Sequence, residues 1–212
     1  MSGTDGETCP VCGRKRSEYS VRGNELPPGT ILGGKYVVGR SLGEGGSGTT
    51  YLGKDTALDR KAVIKEYFPH GTALRSSDHM TVEINGDDEK SFERGRERFI
   101  LEGTVLDALT GSDERAVLAD VIDLIHENNT AYIVMEYIEG TTLTELVGRC
   151  GRIPADELSA LIEPLFDALI KLHEAGLLHR DITPDNIRAP LKTSCRSLAP
   201  PKSRHDETTI GF

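Results

Sequence analysis

His179-Arg180-Asp181-Ile182-Thr183-Pro184-Asp185-Asn186 is the stretch around which the chain is organised. An Asp followed five residues later by an Asn is a spacing used in phosphoryl transfer to a hydroxyl. Such a transfer needs a carboxylate that accepts the hydroxyl proton and orients the oxygen, and Asp181 supplies one. It also needs an oxygen ligand for Mg²⁺ on the same turn, and Asn186 supplies that. Pro184 restricts the turn and moves Thr183 away from helical dihedrals. Alone, the octapeptide equally describes a Pro/Asp-rich turn after a helix. The segments upstream decide between the two.

Just before it, residues 154–175 carry Leu158, Leu161, Ile162, Leu165, Phe166, Leu169 and Leu172 on one helical face. Pro154 suits the first turn and Gly176 the C-terminal cap. Pro164 is expected to kink this helix or split it in two. A short helix is expected from Gly140-Thr141-Thr142-Leu143 through Val147. Residues 116–125 and 130–137 read as strands joined by the turn His126-Glu127-Asn128-Asn129.

Further upstream, Gly43-Glu44-Gly45-Gly46-Ser47-Gly48 separates a strand at 36–42 from Thr49-Thr50-Tyr51-Leu52-Gly53. A lone G-x-G-x-x-G is weak, because dinucleotide folds share it, but those continue from the glycines into a helix. Here a β-branched, aromatic segment follows, so the glycines sit on a hairpin that can close over phosphates. Lys61-Ala62-Val63-Ile64-Lys65 then matches a V-A-I-K strand. In this reading Lys65 reaches the phosphates and Ala62 leaves room for the base. Residues 66–88 read as irregular. From Ser91, Phe92, Phe99, Leu106 and Leu109 recur at helical spacing. Glu102 is the favoured partner of Lys65 on this helix, four residues before Leu106, with Glu97 as the competing register.

The chain has 212 residues, 37% hydrophobic and 28% charged, with a net charge of −9. That suits a soluble globular protein of one or two domains and argues against nucleic acid or an anionic membrane surface as the main partner. The start, Met-Ser-Gly-Thr-Asp-Gly-Glu, shows no signal peptide, and no apolar run approaches the roughly 20 residues of a membrane helix. Four scattered cysteines do not suggest a disulfide framework, and a cytoplasmic location is the expectation. Cys9-Pro10-Val11-Cys12-Gly13 is half a zinc ribbon. Either another chain or unobvious ligands complete a Zn²⁺ site at Cys9 and Cys12, with a dimer or other partner held through the knuckle, or the segment is a degenerate tail.

These pieces, in this order, resemble the eukaryotic-like serine/threonine protein kinases of bacteria. The likeness is closest to a group with a Cys-x-x-Cys-Gly start, Pro-Pro-Gly-Thr before the first strand (27–30 here) and Lys-Glu-Tyr-Phe-Pro at the end of the lysine strand (65–69). The resemblance implies an α+β, bilobal protein-kinase-like fold with a complete N-lobe and a partial helical C-lobe. The likeness covers 27–188 as an incomplete kinase domain, and the sequence on either side reads as a tail at 1–26 and an aberrant, disordered tail at 189–212. It implies ATP and Mg²⁺ as cofactors and protein Ser/Thr hydroxyls as acceptors. Asp181, Lys65, Glu102 and Asn186 take the catalytic roles, with Asn186 on Mg²⁺. Leu42, Gly43, Gly45, Gly48, Ala62 and Lys65 surround the nucleotide. Met135 lies behind the adenine, with the carbonyl of Glu136 and the amide of Ile138 along its edge. Arg180 implies control by a phosphorylated activation loop.

The sequence also departs from that pattern. Thr50 replaces a Val over the adenine, and Thr183 replaces a Lys at the γ-phosphate. No Asp-Phe-Gly follows Ile187; the chain continues Arg188-Ala189-Pro190-Leu191-Lys192 into a Pro/Ser/Arg-rich run. A shift of reading frame or a wrong gene end after about residue 188, or a genuine alternative terminus, would account for it. The expectation is weak or no activity for these 212 residues, with a non-catalytic nucleotide- or partner-binding pseudokinase module as the alternative reading.

Overall fold

The structure is a computed structural model that describes residues 9, 23–84, 86–110, 117–176, 178–179, 182–189 and 209–210. Short β-branched and aromatic runs between turn residues build a six-stranded antiparallel sheet. Its strands are β1 (Ile31–Leu32), β2 (Tyr36–Gly45), β3 (Gly48–Asp55), β4 (Arg60–Tyr67), β7 (Val121–Glu127) and β8 (Thr130–Glu136). Their order in the sheet is β1-β2-β3-β4-β8-β7. A separate hairpin, β5 (Ala73–Arg75) with β6 (Val82–Ile84), and helix α1 (Glu89–Thr110) lie between β4 and β7 in the chain. The β7–β8 turn is tighter than expected. Glu127 pairs with Thr130, and Asn128 and Asn129 take φ of 54° and 57°. Both values are positive, as a two-residue type I′ turn requires, and Asn tolerates them better than most residues.

β4 has two different faces because successive side chains alternate. Ala62 and Ile64 pack with Leu26, Leu32, Tyr36, Val38, Tyr51, Ile125, Tyr132 and Val134 in the core. Val63, Lys65 and Tyr67 point the other way, and the Tyr67 ring meets Phe92 and Phe99 of α1 at centroid distances of 5.1 and 5.6 Å.

The core face ends in a buried charge. Glu66 is fully buried. Its carboxylate accepts from Arg75 Nη1 and Nη2 at 2.8 and 2.7 Å and from the hydroxyls of Tyr51 and Tyr132 at 2.9 and 3.0 Å. Burial first, and the Glu66 charge second, push both tyrosines far above their ordinary range, which keeps them protonated as donors. The Arg75 guanidinium also donates to the carbonyls of Asn24 and Met80. Tyr51 accepts from the Leu26 amide at 3.0 Å. One cluster thus binds the segment before β1, three sheet strands and the β5–β6 hairpin. The hairpin is tied again at β6, where the Val82 amide donates to the Asn128 carbonyl and the Val82 carbonyl accepts from Asn129. The expectation of an irregular segment at 66–88 is therefore corrected: long-range contacts hold a hairpin whose strands are too short to read locally.

The chain divides into two units, Met1–Thr104 with Val121–Glu136, and Val105–Asp120 with Tyr137–Phe212. The second contains β9 (Thr141–Thr142), α2 (Leu143–Cys150), α3 (Ala155–Glu174), β10 (Ile187–Ala189) and β11 (Thr209–Ile210). Thr142 caps α2: its hydroxyl accepts from the Glu145 amide while the Glu145 carboxylate accepts from the Thr142 amide. In this unit one expectation is narrowed, the kink or split at Pro164, and one is corrected, the structureless tail. α3 runs unbroken through Pro164. Burial of Leu165, Ala168 and Leu172 holds it against the roughly 3 kcal/mol that an interior proline costs. Elsewhere on its apolar face, Phe166 and Ile170 are exposed. The tail is not wholly structureless either: Ala189 closes β10, and Thr209–Ile210 pairs antiparallel with it. Cys150 is disulfide-bonded, although one bridge is not a framework of the small secreted kind. Among the described residues, no helix is long and apolar enough to cross a membrane.

Replacing Arg75 by Ala leaves a buried carboxylate uncompensated and is expected to cost about 3–5 kcal/mol of folding stability in urea unfolding. Lys54→Ala, which removes the more exposed pair with Asp59, is expected to cost at most about 1 kcal/mol. Equal losses would mean that the Glu66 cluster is not the anchor of this unit.

Candidate functional site

The glycine segment forms the tip of the β2–β3 hairpin. Gly45 pairs with Gly48 across a turn of Gly46 and Ser47, and irregular register between Val38 and Gly43 bends β2. Leu42, Gly43 and Gly45 are exposed. A methyl group at Gly43 would meet nothing within 4 Å, and one at Gly45 only a backbone oxygen at 3.9 Å. These positions leave backbone open to a ligand. Gly48 is different. It is buried, has φ of 155°, and a methyl there would lie 1.8 Å from the Glu66 carbonyl oxygen. The Phe68 amide donates to Ser47 at 3.0 Å. Gly48 thus admits the close approach of the β4 backbone where it pairs with Tyr67.

Lys65 extends from β4 toward α1. Its Nζ lies 3.5 Å from Glu102 Oε1, with the side chains 20% and 39% exposed, and 5.9 Å from the Phe99 ring centroid. The structure therefore brings Glu102, rather than Glu97, to Lys65. Ala62 needs a correction. It is fully buried in the core on the face opposite Lys65. The residue two before Lys65 on its own face is Val63, which pairs with the buried Met135 of β8. Matching the alanine by identity missed this; counting by two from Lys65 finds it. Glu136 ends β8, and the boundary between the two units falls between it and Tyr137. Ile138 follows, half-buried in the second unit.

In the second unit, Pro184 of the loop accepts from the Thr144 amide at 3.2 Å, and the Asn186 amide donates to Thr183 at 3.0 Å. β10 pairs with β9, and Arg188 Nη1 donates to the Gly140 carbonyl at 3.1 Å. These bonds fix the loop against the start of α2. Asn186 is half-buried. Arg180 and Asp181 lie outside the described residues, as does Cys12. Cys9 is buried and is not part of a disulfide. Among the described residues, no group of three or more His, Cys, Asp or Glu is placed to hold a metal ion.

An antiparallel sheet with a glycine hairpin and a strand lysine paired to a helix glutamate is the arrangement of the protein-kinase class. The protein kinase domain family matches residues 36–191, and the chain belongs to that family. Serine/threonine-protein kinase PksC of Streptomyces coelicolor is 34% identical over 161 residues, spanning 74% of this chain and 26% of the relative. Serine/threonine-protein kinase PknL of Mycobacterium tuberculosis is 33% identical over 157 residues, spanning 74% of this chain and 34% of the relative. The chain thus spans about a quarter to a third of the length of these relatives. Among solved structures, the apo form of PpkA-294 is 30% identical with a TM-score of 0.68, over 89% of this chain and 61% of that one. The kinase domain of PknI of Mycobacterium tuberculosis is 26% identical with a TM-score of 0.51, over 77% of this chain and 57% of that one.

Gly48→Ala is expected to destabilise the fold by roughly 1–3 kcal/mol, the cost of overpacking, because backbone rather than a side chain blocks the methyl. Gly43→Ala is expected to stay within about 0.5 kcal/mol of the parent. Thermal unfolding of the two variants checks both values.

Proposed function

We propose that this chain is the ATP-binding and acceptor-orienting part of a serine/threonine protein kinase. The single observation that carries the reading is the Lys65–Glu102 pair at 3.5 Å. A half-buried lysine ammonium paired with a helix carboxylate is the arrangement that orients phosphate oxygens in this chemistry. Open backbone at Gly43 and Gly45 on the same unit suits close approach of a phosphate. Val63 and Met135 supply apolar surface for the base, and the Glu136 carbonyl with the Ile138 amide would read its edge.

In this reading Asp181 accepts the proton of a Ser or Thr hydroxyl and holds that oxygen toward the phosphate. The Asn186 side-chain oxygen would hold Mg²⁺, which when bound neutralises charge developing on the phosphate oxygens. The activity is assigned to residues 27–188, with a protein as acceptor, and the cysteine knuckle stays outside the reaction. One sequence observation favours the second reading, a nucleotide-binding module without catalysis. The metal-holding Asp of an Asp-Phe-Gly is not found in these 212 residues. The 212-residue polypeptide is accordingly expected to transfer phosphate weakly.

The test is transfer of labelled γ-phosphate from Mg-ATP to a generic Ser/Thr protein substrate. Slow transfer by the parent, lost in Asp181→Asn and reduced by roughly 10²-fold or more in Lys65→Met, supports the kinase reading. ATP binding that is weakened by Lys65→Met, with no transfer by any form, supports the module instead. Transfer unaffected by either substitution overturns both.

A further inference from the structure

Two glycines sit within α1, where each costs about 0.8–1 kcal/mol relative to alanine. Both face the sheet. A methyl built on Gly103 would come 2.7 Å from Leu124 Cδ2, the end of a half-buried flexible side chain, and 3.1 Å from Ile133 Cδ1 and Cγ1. A methyl on Gly95 would lie 2.0 Å from the Tyr67 hydroxyl oxygen and 2.9 Å from Cζ, against about 3.5 Å for ordinary contact. Tyr67 has little room to move: it is 6% exposed, and its ring is in contact with those of Phe92 and Phe99. Tyr67 is also two residues from Lys65 on the same face of β4. Phe92, Gly95, Phe99 and Glu102 follow one another at three- and four-residue steps along a single stripe of α1.

We propose that Gly95 is a positioning residue. Its missing side chain forms a notch for Tyr67, and the seating of Tyr67 in that notch sets how near α1 lies to β4. That distance decides whether Glu102 reaches Lys65. A pair at 3.5 Å does not survive a displacement of the kind a methyl at Gly95 demands. The helix therefore keeps a glycine that its own stability disfavours. The functional importance of the notch rests on reading Lys65 and Glu102 as the phosphate-positioning pair, but its existence does not.

The test is competitive acylation of lysine amines in the full chain by an amine-reactive ester, read site by site by mass spectrometry, without nucleotide. Glu102→Gln removes the ion pair and gives the reference change at Lys65. Gly95→Ala is expected to shift Lys65 labelling several-fold in the same sense, with Lys54 unchanged. Adding Tyr67→Phe, which removes the atom at 2.0 Å, is expected to bring Lys65 back toward the parent rate. Should Gly95→Ala fail to fold, recovery of folding by Tyr67→Phe supports the notch and its absence overturns it. Parent-like labelling in folded Gly95→Ala, or in Glu102→Gln, overturns the proposal. ATP affinity measured on the same variants separates the two claims. A labelling shift with no loss of ATP affinity keeps the notch and removes the phosphate-positioning role.

Discussion

Glu66 is a carboxylate with no access to water, and the residue before it in the chain is the half-buried lysine of the candidate site. The two point to opposite faces of β4. An ion taken out of water costs several kcal/mol unless fully compensated, so the geometry around Glu66 has little freedom. Two guanidinium nitrogens and two tyrosine hydroxyls surround it. Because these donors come from the β5–β6 hairpin, β3 and β8, satisfying one charge fixes the strand's position, twist and neighbours. Lys65 inherits that precision on the other face.

The second face is set by shape rather than charge. Tyr67 packs between Phe92 and Phe99, and the glycines of α1 admit the sheet's side chains. Charge on one side of β4 and aromatic packing on the other together leave a lysine and a glutamate facing each other at the spacing of an ion pair.

Much of this was legible in the sequence. The glycine hairpin, the lysine strand, the helix after it and the β7–β8 hairpin each carry a local pattern, and the apolar period of α1 separated Glu102 from Glu97. What failed to show depends on partners far away in the chain. Nothing near Arg75 announces that it meets Glu66, so the hairpin at 73–84 was invisible. Ala62 was placed on the wrong face because a motif was matched by residue type, whereas strand alternation counted from Lys65 gives Val63. Gly48 stands under a second constraint that its motif does not show, the approach of the Glu66 backbone. Pro164 does not split its helix, and the burial of Leu165, Ala168 and Leu172 around it offsets the proline's cost. Membership in the protein kinase family over residues 36–191 agrees with the order of motifs. The sequence after β10 departs from that order, and Thr209–Ile210 still adds a strand to β10 there.

The most direct test of the central claim is a crystal structure of this chain with Mg²⁺ and a non-hydrolysable ATP analogue. The account predicts Lys65 Nζ within hydrogen-bond distance of both a Glu102 oxygen and a phosphate oxygen, with Arg75 still bidentate on Glu66. Phosphates bound away from Lys65, or Lys65 turned from Glu102 with nucleotide in place, would contradict it.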